Sequence, residues 1–468
     1  MKTSMKTNRR LFSLIFGVLL SLVIASCSDD DNSMPPATND DIVSIAQSTP
    51  ELSSLVAALS KYPDLVSTLS GAGTFTVFAP SNDAFSAALA ALGQSSIDDL
   101  PEDVLRDILE YHVAASAALR STDLSDGQAV ETVNGSSITI SINGSTVMID
   151  NAQVTAADIE ASNGVVHMVN AVLVPPAMLP LVGTILAPVY FDKDFTTLVA
   201  AVLAAEGDIT SVLLSDGPSG NGLTLFAPTN DAFESAGITE LPDAATLAAV
   251  LSYHVLDGTV TSADLPAGSA AIQTLNGDFY LSNVDAGVFI NGQSQVTEVD
   301  LTGSNGVVHV INRALIPPSQ NIAEIVIAAS SADPAQFTLL LAAVQRADLT
   351  DVLTSDGPFT VFAPTDEAFN NAGFPDEAAV QNADPQVLTA ILTHHVVKAS
   401  ARVFSTDLTD GQTITMLNDQ NITVDLQNLT IQDASGSNPP AGLVPDLLDI
   451  HATNGVIHVI DEVLLPAQ

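Results

Sequence analysis

Histidine is the side chain in this sequence best suited to chemistry, because its ordinary pKa lets it exchange a proton or bind a metal near neutral pH. The chain has eight histidines among 468 residues. Six of them fall into two sets of three, whose members recur at intervals of about 140–150 residues, which indicates a duplicated domain. The first set is His112, His254 and His395, and the second set is His167, His309 and His458.

The first set lies on an apolar helical face. His112 follows leucine or isoleucine at positions 105, 108 and 109, and the other two members repeat this pattern. A histidine on such a stripe is usually a packed core residue whose ring N–H donates to a backbone carbonyl, so we expect a structural role. The second set sits inside apolar strands, where we expect the same. Because no third ligand accompanies the two sets, the sequence predicts no metal site and no cofactor.

The residues directly before the first set are Tyr111, Tyr253 and His394. One step along a helix turns the side chain by about 100°. These three side chains are therefore expected to leave the buried face and to be more exposed than the histidines that follow them. This exposure makes them candidates for ligand contact.

Cys27 is the only cysteine, so no intramolecular disulfide is possible. It ends the stretch Ile24-Ala25-Ser26-Cys27, after a basic start and an apolar run over 11–24. That run is short for a membrane span and is typical of a secretory signal. The stretch resembles a bacterial lipobox, which implies a signal peptide over 1–27 and lipid attachment at Cys27. The alternatives are a leftover thiol in a cleaved signal peptide and an uncleaved signal anchor.

Residues 28–39 are acidic, polar and proline-containing, which favours a tether. An acidic tract directly after a lipid cysteine resembles the surface-export signals of some Gram-negative lipoproteins. We therefore expect lipid anchoring in the outer membrane with exposure at the cell surface. The alternative is a periplasmic location, with 28–39 as an ordinary solvated linker.

Two further motifs recur in step with the histidines. The first is a Phe-Ala-Pro box over 74–85, which returns over 223–233 and 359–369. Alternating Thr, Phe and Val predict a half-buried strand that ends at the proline. A helix N-cap residue then follows in each copy, namely Ser81, Thr229 and Thr365. The box therefore predicts a strand, a sharp corner and a helix.

The second motif is an Asn-Gly pair followed by the apolar strand that contains a second-set histidine. It occupies 163–169, 305–311 and 454–460. Each Asn-Gly pair predicts a tight turn in which glycine needs a positive φ. The helical pattern that ends in the Tyr-His pair lies between the two motifs in every copy.

The Phe-Ala-Pro box, the Tyr-His pair and the Asn-Gly strand, in this order and three times over, resemble the fasciclin domain. The resemblance covers roughly residues 40–468. It implies an α+β fold in which a wedge of two β-sheets has a helical layer against one side. We expect three tandem domains over 40–178, 184–318 and 320–468. Their short, proline-bearing junctions favour a semi-rigid row.

In animal fasciclin proteins the Tyr-His region is associated with integrin binding. The resemblance implies ligand contact at three residue pairs: Tyr111 and His112, Tyr253 and His254, His394 and His395. The third pair departs from the pattern, because histidine replaces tyrosine. A bacterium has no integrins of its own, so the expected partner is an extracellular matrix component, a polysaccharide or a cell-surface protein.

The charge balance is strongly acidic, with 12 Lys and Arg against 54 Asp and Glu and a formal net charge of −42. Nucleic acid and anionic membrane surfaces would be repelled, because both need a basic face. Membrane contact is therefore expected only through the lipid at Cys27. Calcium prefers clustered oxygen ligands, but no twelve-residue loop has EF-hand spacing, so a scattered acidic surface is the better interpretation.

Catalytic motifs are absent from the sequence. It contains no G-x-S-x-G elbow, no H-E-x-x-H and no phosphate-binding loop, and no cysteine follows Cys27. An enzyme is therefore not expected. The function expected is adhesion, or binding of matrix or polysaccharide. The main alternative is a structural envelope spacer without a specific ligand, and a glycan-processing accessory protein or hydrolase is a more distant third.

Overall fold

The computed structural model describes residues 40–399, 401–433, 435 and 439–467. The predicted signal peptide, Cys27 and the acidic tether lie outside the described residues. Along the described chain, three copies of one α+β unit follow each other. In each copy a helical layer packs against one side of a bent sheet system, so the predicted fold class is confirmed.

The first copy places three short helices before its first strand and closes with a long bent strand and its partner. Its helices are α1 (Ile42–Ser48), α2 (Ser53–Ser60), α3 (Pro63–Ser70), α4 (Asn82–Ala91) and α5 (Glu102–Tyr111). Its strands are β1 (Phe75–Pro80), β2 (Val113–Ala114), β3 (Ala129–Glu131), β4 (Ser137–Asn143), β5 (Thr146–Ile149), β6 (Ala152–Ala161) and β7 (Gly164–Val169). The strand order is β2-β1-β7-β6-β5-β4-β3. Register shifts in β6 bend it, so that it serves both halves of the wedge.

The second copy repeats this arrangement with the strand order β10-β11-β12-β13-β14-β8-β9. Its helices are α6 (Ala187–Tyr190), α7 (Thr196–Ala204), α8 (Ile209–Leu213), α9 (Asn230–Ser235) and α10 (Ala244–Tyr253). Its strands are β8 (Leu223–Pro228), β9 (Val255–Asp257), β10 (Gly268–Thr274), β11 (Gly277–Val284), β12 (Gly287–Ile290), β13 (Ser294–Gly303) and β14 (Gly306–Ile311).

The third copy splits the wedge into separate sheets, ordered β15-β21-β20 and β16-β17-β18-β19. Its helices are α11 (Ile322–Ser330), α12 (Thr338–Arg346), α13 (Thr350–Thr354), α14 (Asp366–Asn371), α15 (Glu377–Asn382) and α16 (Pro385–Thr393). Its strands are β15 (Phe359–Pro364), β16 (Thr413–Thr415), β17 (Asn421–Asp425), β18 (Thr430–Gln432), β19 (Ala441–Gly442), β20 (Ile450–Ala452) and β21 (Gly455–Ile460).

The Phe-Ala-Pro strand and the Asn-Gly strand pair in parallel in every copy, as β1 with β7, β8 with β14 and β15 with β21. This pairing places Phe78 opposite His167, with 5.7 Å between their ring centroids. The predicted corner after the proline is also present. The hydroxyl of Ser81 accepts the N–H of Ala84 at 3.2 Å and so caps α4, and Thr229 and Thr365 cap their helices in the same way.

The glycines of the Asn-Gly pairs correct one prediction. Gly164 and Gly455 begin their strands without a positive φ, so the expected conformation is wrong there, and only Gly306 has one, at 151°. The physical reason for glycine is close approach. A Cβ at Gly164 would lie 2.2 Å from the carbonyl oxygen of Phe75 in the paired strand.

Each domain has two apolar cores on opposite sides of the parallel strand pair. In the first domain, one core lies between the helices and β1, and it includes Leu55 and Leu105. The other lies inside the wedge and includes Phe78, Ile138 and Leu173. A residue that turns away from the helical core can therefore still be buried.

The first junction is packed rather than open. Phe191, which directly follows α6, is 1% exposed and belongs to the helical core of the first domain. The backbone N–H of Lys193 donates to the carbonyl of Asp99 at 2.9 Å, and its ammonium group donates to the carbonyl of Asp98 at 2.8 Å. The start of the second domain is thus fastened to the first.

Among the described residues, no single helix has the length and apolar character needed to cross a membrane. One pair, Ile42–Ser48 with Pro50–Ser60, meets those two criteria jointly but is bent by 105°.

Candidate functional site

The Tyr-His pairs stand at the end of the helix that precedes the wedge. In the first copy α5 ends at Tyr111, and His112 is its C-cap residue. His112 is 2% exposed. Its Nδ1 lies 2.7 Å from the carbonyl oxygen of Ile108, and its Nε2 accepts the N–H of Leu173 at 2.9 Å. The ring therefore ties the helix end to the segment that follows β7.

The same two hydrogen bonds recur in the other copies. His254 makes them with the backbone of Val250 and Leu315, and His395 makes them with that of Ile391 and Leu464. Because Nε2 accepts, Nδ1 carries the proton and each ring is neutral. Burial lowers the pKa of each of these histidines to about 4, against the opposing effect of the bond to the helix carbonyl. The prediction of packed structural histidines is confirmed.

Tyr111 and Tyr253 are buried, at 1% and 0% exposure, so the expectation that they are exposed is wrong. A turn of about 100° moves each ring out of the helical core and into the wedge core. The Tyr111 hydroxyl donates to Oδ2 of Asp150 at 2.8 Å, and that of Tyr253 donates to the carbonyl of Asp278 at 3.0 Å. Burial raises the pKa of both phenols, that of Tyr253 to about 12.

The third copy has a histidine at this position, and it is buried as well. His394 is 0% exposed, which again contradicts the expected exposure. Its Nδ1 lies 3.1 Å from Oδ1 of Asn418, and its Nε2 has no hydrogen-bond partner among the described residues. Burial lowers the pKa of His394. The substitution therefore keeps the core position filled but leaves one ring nitrogen unpaired.

All six residues of the Tyr-His pairs are thus interior residues of their domains. Ligand binding at these positions stays a prediction. Because the rings are buried, they contact only residues of their own domain. They could affect a ligand only indirectly, by positioning residues that the ligand touches.

The second-set histidines are buried in the parallel strand pair. His167 is 0% exposed, its Nε2 lies 2.8 Å from the carbonyl of Leu119, and its Nδ1 accepts the N–H of Asp158 at 3.3 Å. His309 and His458 repeat both contacts with the corresponding backbone groups. Their predicted structural role is confirmed.

A serine and an aspartate accompany each second-set histidine, and sequence reasoning missed both. The Asp158 carboxylate accepts the N–H of Ser121 at 2.7 Å and also its hydroxyl. The other two copies form the same pair from Ser262 with Asp300 and from Ser405 with Asp449. A nucleophilic serine would need its hydroxyl on the imidazole, whereas these hydroxyls are bonded to the carboxylate. The one available signal was an Asp nine residues before each histidine.

The side chain of Asn163 joins two segments that are distant in sequence, a role that the predicted Asn-Gly turn did not indicate. Its Oδ1 accepts the N–H of Ile42 at 3.0 Å, and its Nδ2 donates to the carbonyls of Leu69 and Gly71 at 2.7 and 2.9 Å. Asn305 and Asn454 make the equivalent bonds in the other copies. Each asparagine fastens the start of its domain to the loop before the Phe-Ala-Pro strand.

The second and third domains meet in an aromatic and charged contact. The Arg402 guanidinium lies 4.7 Å from the centroid of the Tyr280 ring, and it donates to the Tyr280 hydroxyl at 2.6 Å. The rings of Phe404 and His451 also pack on Tyr280, with centroids 5.8 and 6.1 Å away. Both side chains are partly exposed, so the cation–aromatic contact and the hydrogen bond together join the two domains at this junction.

Two polar contacts extend this junction. The Asp407 carboxylate of the third domain accepts the hydroxyls of Ser269 and Ser282, the latter at 2.6 Å. From the second domain, Nε2 of Gln293 donates to the carbonyl of Leu448 at 2.8 Å. Beside these contacts lies a cleft of about 380 Å³ with residues of both domains in its walls. Among the described residues, no group of three or more His, Cys, Asp or Glu is placed to hold a metal ion.

The fasciclin domain model matches this chain in three segments, 50–175, 193–317 and 335–466. Three matches that together span most of the chain define its class, and the chain belongs to the fasciclin domain family. Fasciclin domains are associated with cell adhesion and matrix interaction.

The chain is similar to curated proteins from animals and bacteria. It is 27% identical to human periostin over 409 residues, which is 86% of this chain and 44% of periostin. It is 27% identical to the rabbit (Oryctolagus cuniculus) transforming growth factor-beta-induced protein ig-h3, over 84% of this chain and 53% of that protein. The immunogenic protein MPB70 of Mycobacterium bovis is 36% identical over 30% of this chain and 72% of its own length. The chain spans about half the length of the two animal relatives.

Among solved structures, the FAS1 domain pair from the insect cell adhesion molecule Fasciclin I is similar to this chain. The sequence identity is 20% and the TM-score is 0.29, over 58% of this chain and 97% of that one.

Proposed function

We propose that this chain is an adhesion protein that binds an extracellular matrix component, a polysaccharide or a cell-surface protein through its tandem domains. The observation that carries this proposal is the match of three consecutive segments to a family associated with adhesion and matrix interaction. Weak sites on one chain bind together more strongly than any one of them alone, provided that the ligand spans them. The packed junctions support this role, because they fix the distances between the domains.

The charge of the chain supports recognition by shape and hydrogen bonding rather than by a basic patch. Among the described residues, most Lys and Arg side chains are paired with carboxylates, for example Arg120 with Glu160 at 3.0 Å and Arg106 with Glu110 at 2.8 Å. A net charge of −42 disfavours polyanionic ligands. Catalysis is not part of the proposal, because each serine hydroxyl beside a second-set histidine is bonded to a carboxylate.

We also propose that the chain is attached to the outer membrane by lipid at Cys27 and displayed at the cell surface. The support is the lipobox-like stretch and the acidic tract of 28–39 that follows it. The test is expression in a Gram-negative host with a labelled fatty acid. The label should enter the wild-type chain and not Cys27→Ser, and external protease should cleave the chain on intact cells. Labelled chain that resists protease on intact cells would contradict surface display and favour the periplasmic face.

Binding is tested with the full chain on surfaces coated with matrix proteins and with neutral and acidic polysaccharides. We expect saturable binding to at least one surface that survives about 0.5 M salt, where electrostatic attraction is screened within a few ångströms. The chain unfolded by heat is the control and should not bind. Absence of binding to every surface would overturn the adhesion proposal and favour the structural spacer.

A further inference from the structure

The cleft between the second and third domains has the size of a ligand site. Its volume is about 380 Å³, and small-ligand sites often form at domain interfaces with volumes of this order. One wall comes from the end of β12 and the start of β13 with the segment 313–320, and the other comes from Ile325 with 449–451. The cleft thus exists only where two domains meet.

Contacts across the junction form the cleft before any ligand arrives. Two hydrogen bonds fix the two walls relative to each other. One runs from Arg402 to the Tyr280 hydroxyl, and the other runs from Gln293 to the Leu448 carbonyl. At one point the walls touch, since a Cβ at Gly292 would lie 2.5 Å from the Asp449 carboxylate. A site with fixed walls loses little conformational entropy when it binds.

Some polar side chains of the walls are already used by the fold. Oδ1 of Asn291 accepts the N–H of Tyr280 at 2.8 Å, and its Nδ2 donates to the Tyr253 hydroxyl at 3.2 Å. Both carboxylate oxygens of Asp449 accept hydrogen bonds from Ser405. Through Asn291, the buried tyrosine of the second Tyr-His pair supports a wall of the cleft.

Other polar groups in the walls remain available. The side chains of Ser319 and Gln320 are exposed and make no hydrogen bond within the described residues. Arg313 donates to the carbonyl of Ser235 through one nitrogen of a guanidinium that has five N–H groups. Both ring nitrogens of His451 are buried without a partner among the described residues. Because these nitrogens are buried, they are not among the groups open to the cleft.

Apolar surface lies beside these polar groups. Ile316 is 52% exposed, and Pro317 and Ile325 also line the cleft. The walls therefore present apolar contact next to groups that both donate and accept hydrogen bonds. A sugar ring has the matching surface, with C–H faces and a rim of hydroxyls that also donate and accept.

The charges in the walls of the cleft favour a neutral sugar over an acidic one. Arg313 is the one Lys or Arg in the walls, and the Asp449 carboxylate lies on the opposite wall. A single cation in a chain of net charge −42 does not attract a polyanion. A neutral saccharide meets no such penalty, so it fits the cleft better than a uronate or sulfated glycan.

The position of Arg313 is specific to the second domain. It stands two residues after the last strand of its domain, where the first domain has Ala171 and the third has Glu462. Neither of those side chains can donate the hydrogen bonds that a guanidinium offers. The guanidinium at this position is therefore a feature of the second domain and not of the fold that the three domains share.

We propose that this cleft binds one or two residues of a neutral polysaccharide, with Arg313, Gln320 and Ser319 contacting the hydroxyls and Ile316 packing on the ring. The proposal rests on the proposed adhesion function and names its ligand class and one of its sites. The named contacts all come from the segment 313–320, and Ile325 with 449–451 of the third domain closes the cleft opposite them. Binding is therefore expected to need the second and third domains together.

The test is titration of the full chain with neutral tetrasaccharides of the cello-, xylo-, manno- and laminari- series, followed by ligand-detected NMR and calorimetry. Tetragalacturonate is the acidic comparison. We expect at least one neutral series to bind and tetragalacturonate not to bind. Arg313→Ala, which installs the residue of the first domain, should weaken binding at least tenfold. Ser319→Trp, which fills the cleft from the exposed linker, should abolish it.

Arg120→Ala is the matched control, because it removes an exposed arginine of the first domain far from the cleft, and its affinity should equal that of the wild type. Melting temperatures check that each variant is folded. Saccharide binding unchanged in both Arg313→Ala and Ser319→Trp would overturn the cleft and leave the adhesion function standing. Binding of the chain to a matrix protein, with no binding to any saccharide, would also overturn the cleft and leave the adhesion function standing. Binding of tetragalacturonate alone would overturn the neutral class, and no binding to any surface or sugar would remove both proposals.

Discussion

The imidazole of His112 joins two backbone groups that are 65 positions apart in the chain, the carbonyl of Ile108 and the N–H of Leu173. Both groups are buried with the ring. A buried backbone group that loses its partner costs about 1–3 kcal/mol. His112 therefore stabilises the domain by pairing both backbone groups, although its neutral ring takes part in no reaction.

We predict that His112→Leu lowers the free energy of unfolding of the first domain by about 2–4 kcal/mol, because two buried backbone groups lose their partner. Hydrogen exchange measured by mass spectrometry should show faster exchange in α5 and in the segment after β7. The second and third domains should keep their wild-type rates. His112→Gln, whose amide can both donate and accept, should lose less stability. Equal losses in the two variants would show that packing, not hydrogen bonding, is what His112 supplies.

Acid should destabilise all three domains. The folded-state pKa of His112 is about 4 and the unfolded value is about 6.5, so the unfolded chain binds the proton first as the pH falls. The contribution to stability is complete above pH 6.5 and is lost progressively as the pH falls towards 4. At pH 5 the loss is about 2 kcal/mol for each such histidine. Denaturant unfolding at pH 7.5 and pH 5 measures it.

His112→Gln serves as the control for this pH dependence, because an amide does not titrate. Its first domain should lose about 2 kcal/mol less than the wild type between pH 7.5 and pH 5. An identical pH dependence in wild type and variant would assign the acid sensitivity to other groups.

The burial of these histidines could be predicted from sequence, because a helical stripe fixes which residues share a face. The burial of Tyr111 and Tyr253 could not. Helical periodicity says that they leave the helical core, but it does not say that a second core lies beyond. Only the packing of the wedge against the same helix end decides that point.

At the scale of elements, the parallel pairing of β1 with β7 depends on glycine at its first position. We predict that Gly164→Ala destabilises the first domain by about 3 kcal/mol or more, because the new Cβ would collide with the Phe75 carbonyl and force the strands apart. Thermal unfolding and limited proteolysis measure the effect.

Gly144→Ala is the matched control in the same domain. Gly144 has a φ of +63° but no atom within 4 Å of an added Cβ, so only backbone strain of about 1 kcal/mol is expected. Equal effects of the two substitutions would mean that close approach is not the reason for glycine at position 164.

Local elements of the fold were readable from the sequence, whereas the contacts between them were not. The strand, the corner and the Ser81 cap depend on neighbouring residues, and all three are present. The strand is buried along its whole length, so the prediction that it is half-buried is wrong, because apolar cores cover both of its faces. Asn163 and Asp158 act on residues far away in the chain. Nothing local marks such partners, and only their recurrence in three copies could have indicated them.

At the scale of the whole molecule, the two junctions are built differently. The first buries Phe191, from the start of the second domain, in the helical core of the first domain. The second sets Arg402 of the third domain on Tyr280, which lies on a strand of the second. The row of domains is thus held by packing at one joint and by a cation on an aromatic ring at the other. The second joint is also the one that shapes the cleft.

We predict that Arg402→Ala and Tyr280→Ala uncouple the second and third domains. In a double-mutant cycle the two effects should be non-additive by about 1–2 kcal/mol, because each removes the same cation–aromatic contact. Arg402 also donates to the carbonyls of Ala452 and Thr453 in its own domain. The double-mutant cycle cancels the contribution of these hydrogen bonds to stability, whereas a single Arg402 variant loses them together with the contact to Tyr280.

Limited proteolysis of the linker 317–321 gives a second readout, since loss of the contact should let this exposed segment move more freely and raise its cleavage rate in both single variants. Lys398→Ala, which removes an exposed cation of the same domain paired with Asp419, is the control and should leave cleavage unchanged. Saccharide binding, if it occupies the cleft, should fall together with the coupling. Additive effects and an unchanged cleavage rate would show that the two domains move independently, and the cleft could then not be a site with fixed walls.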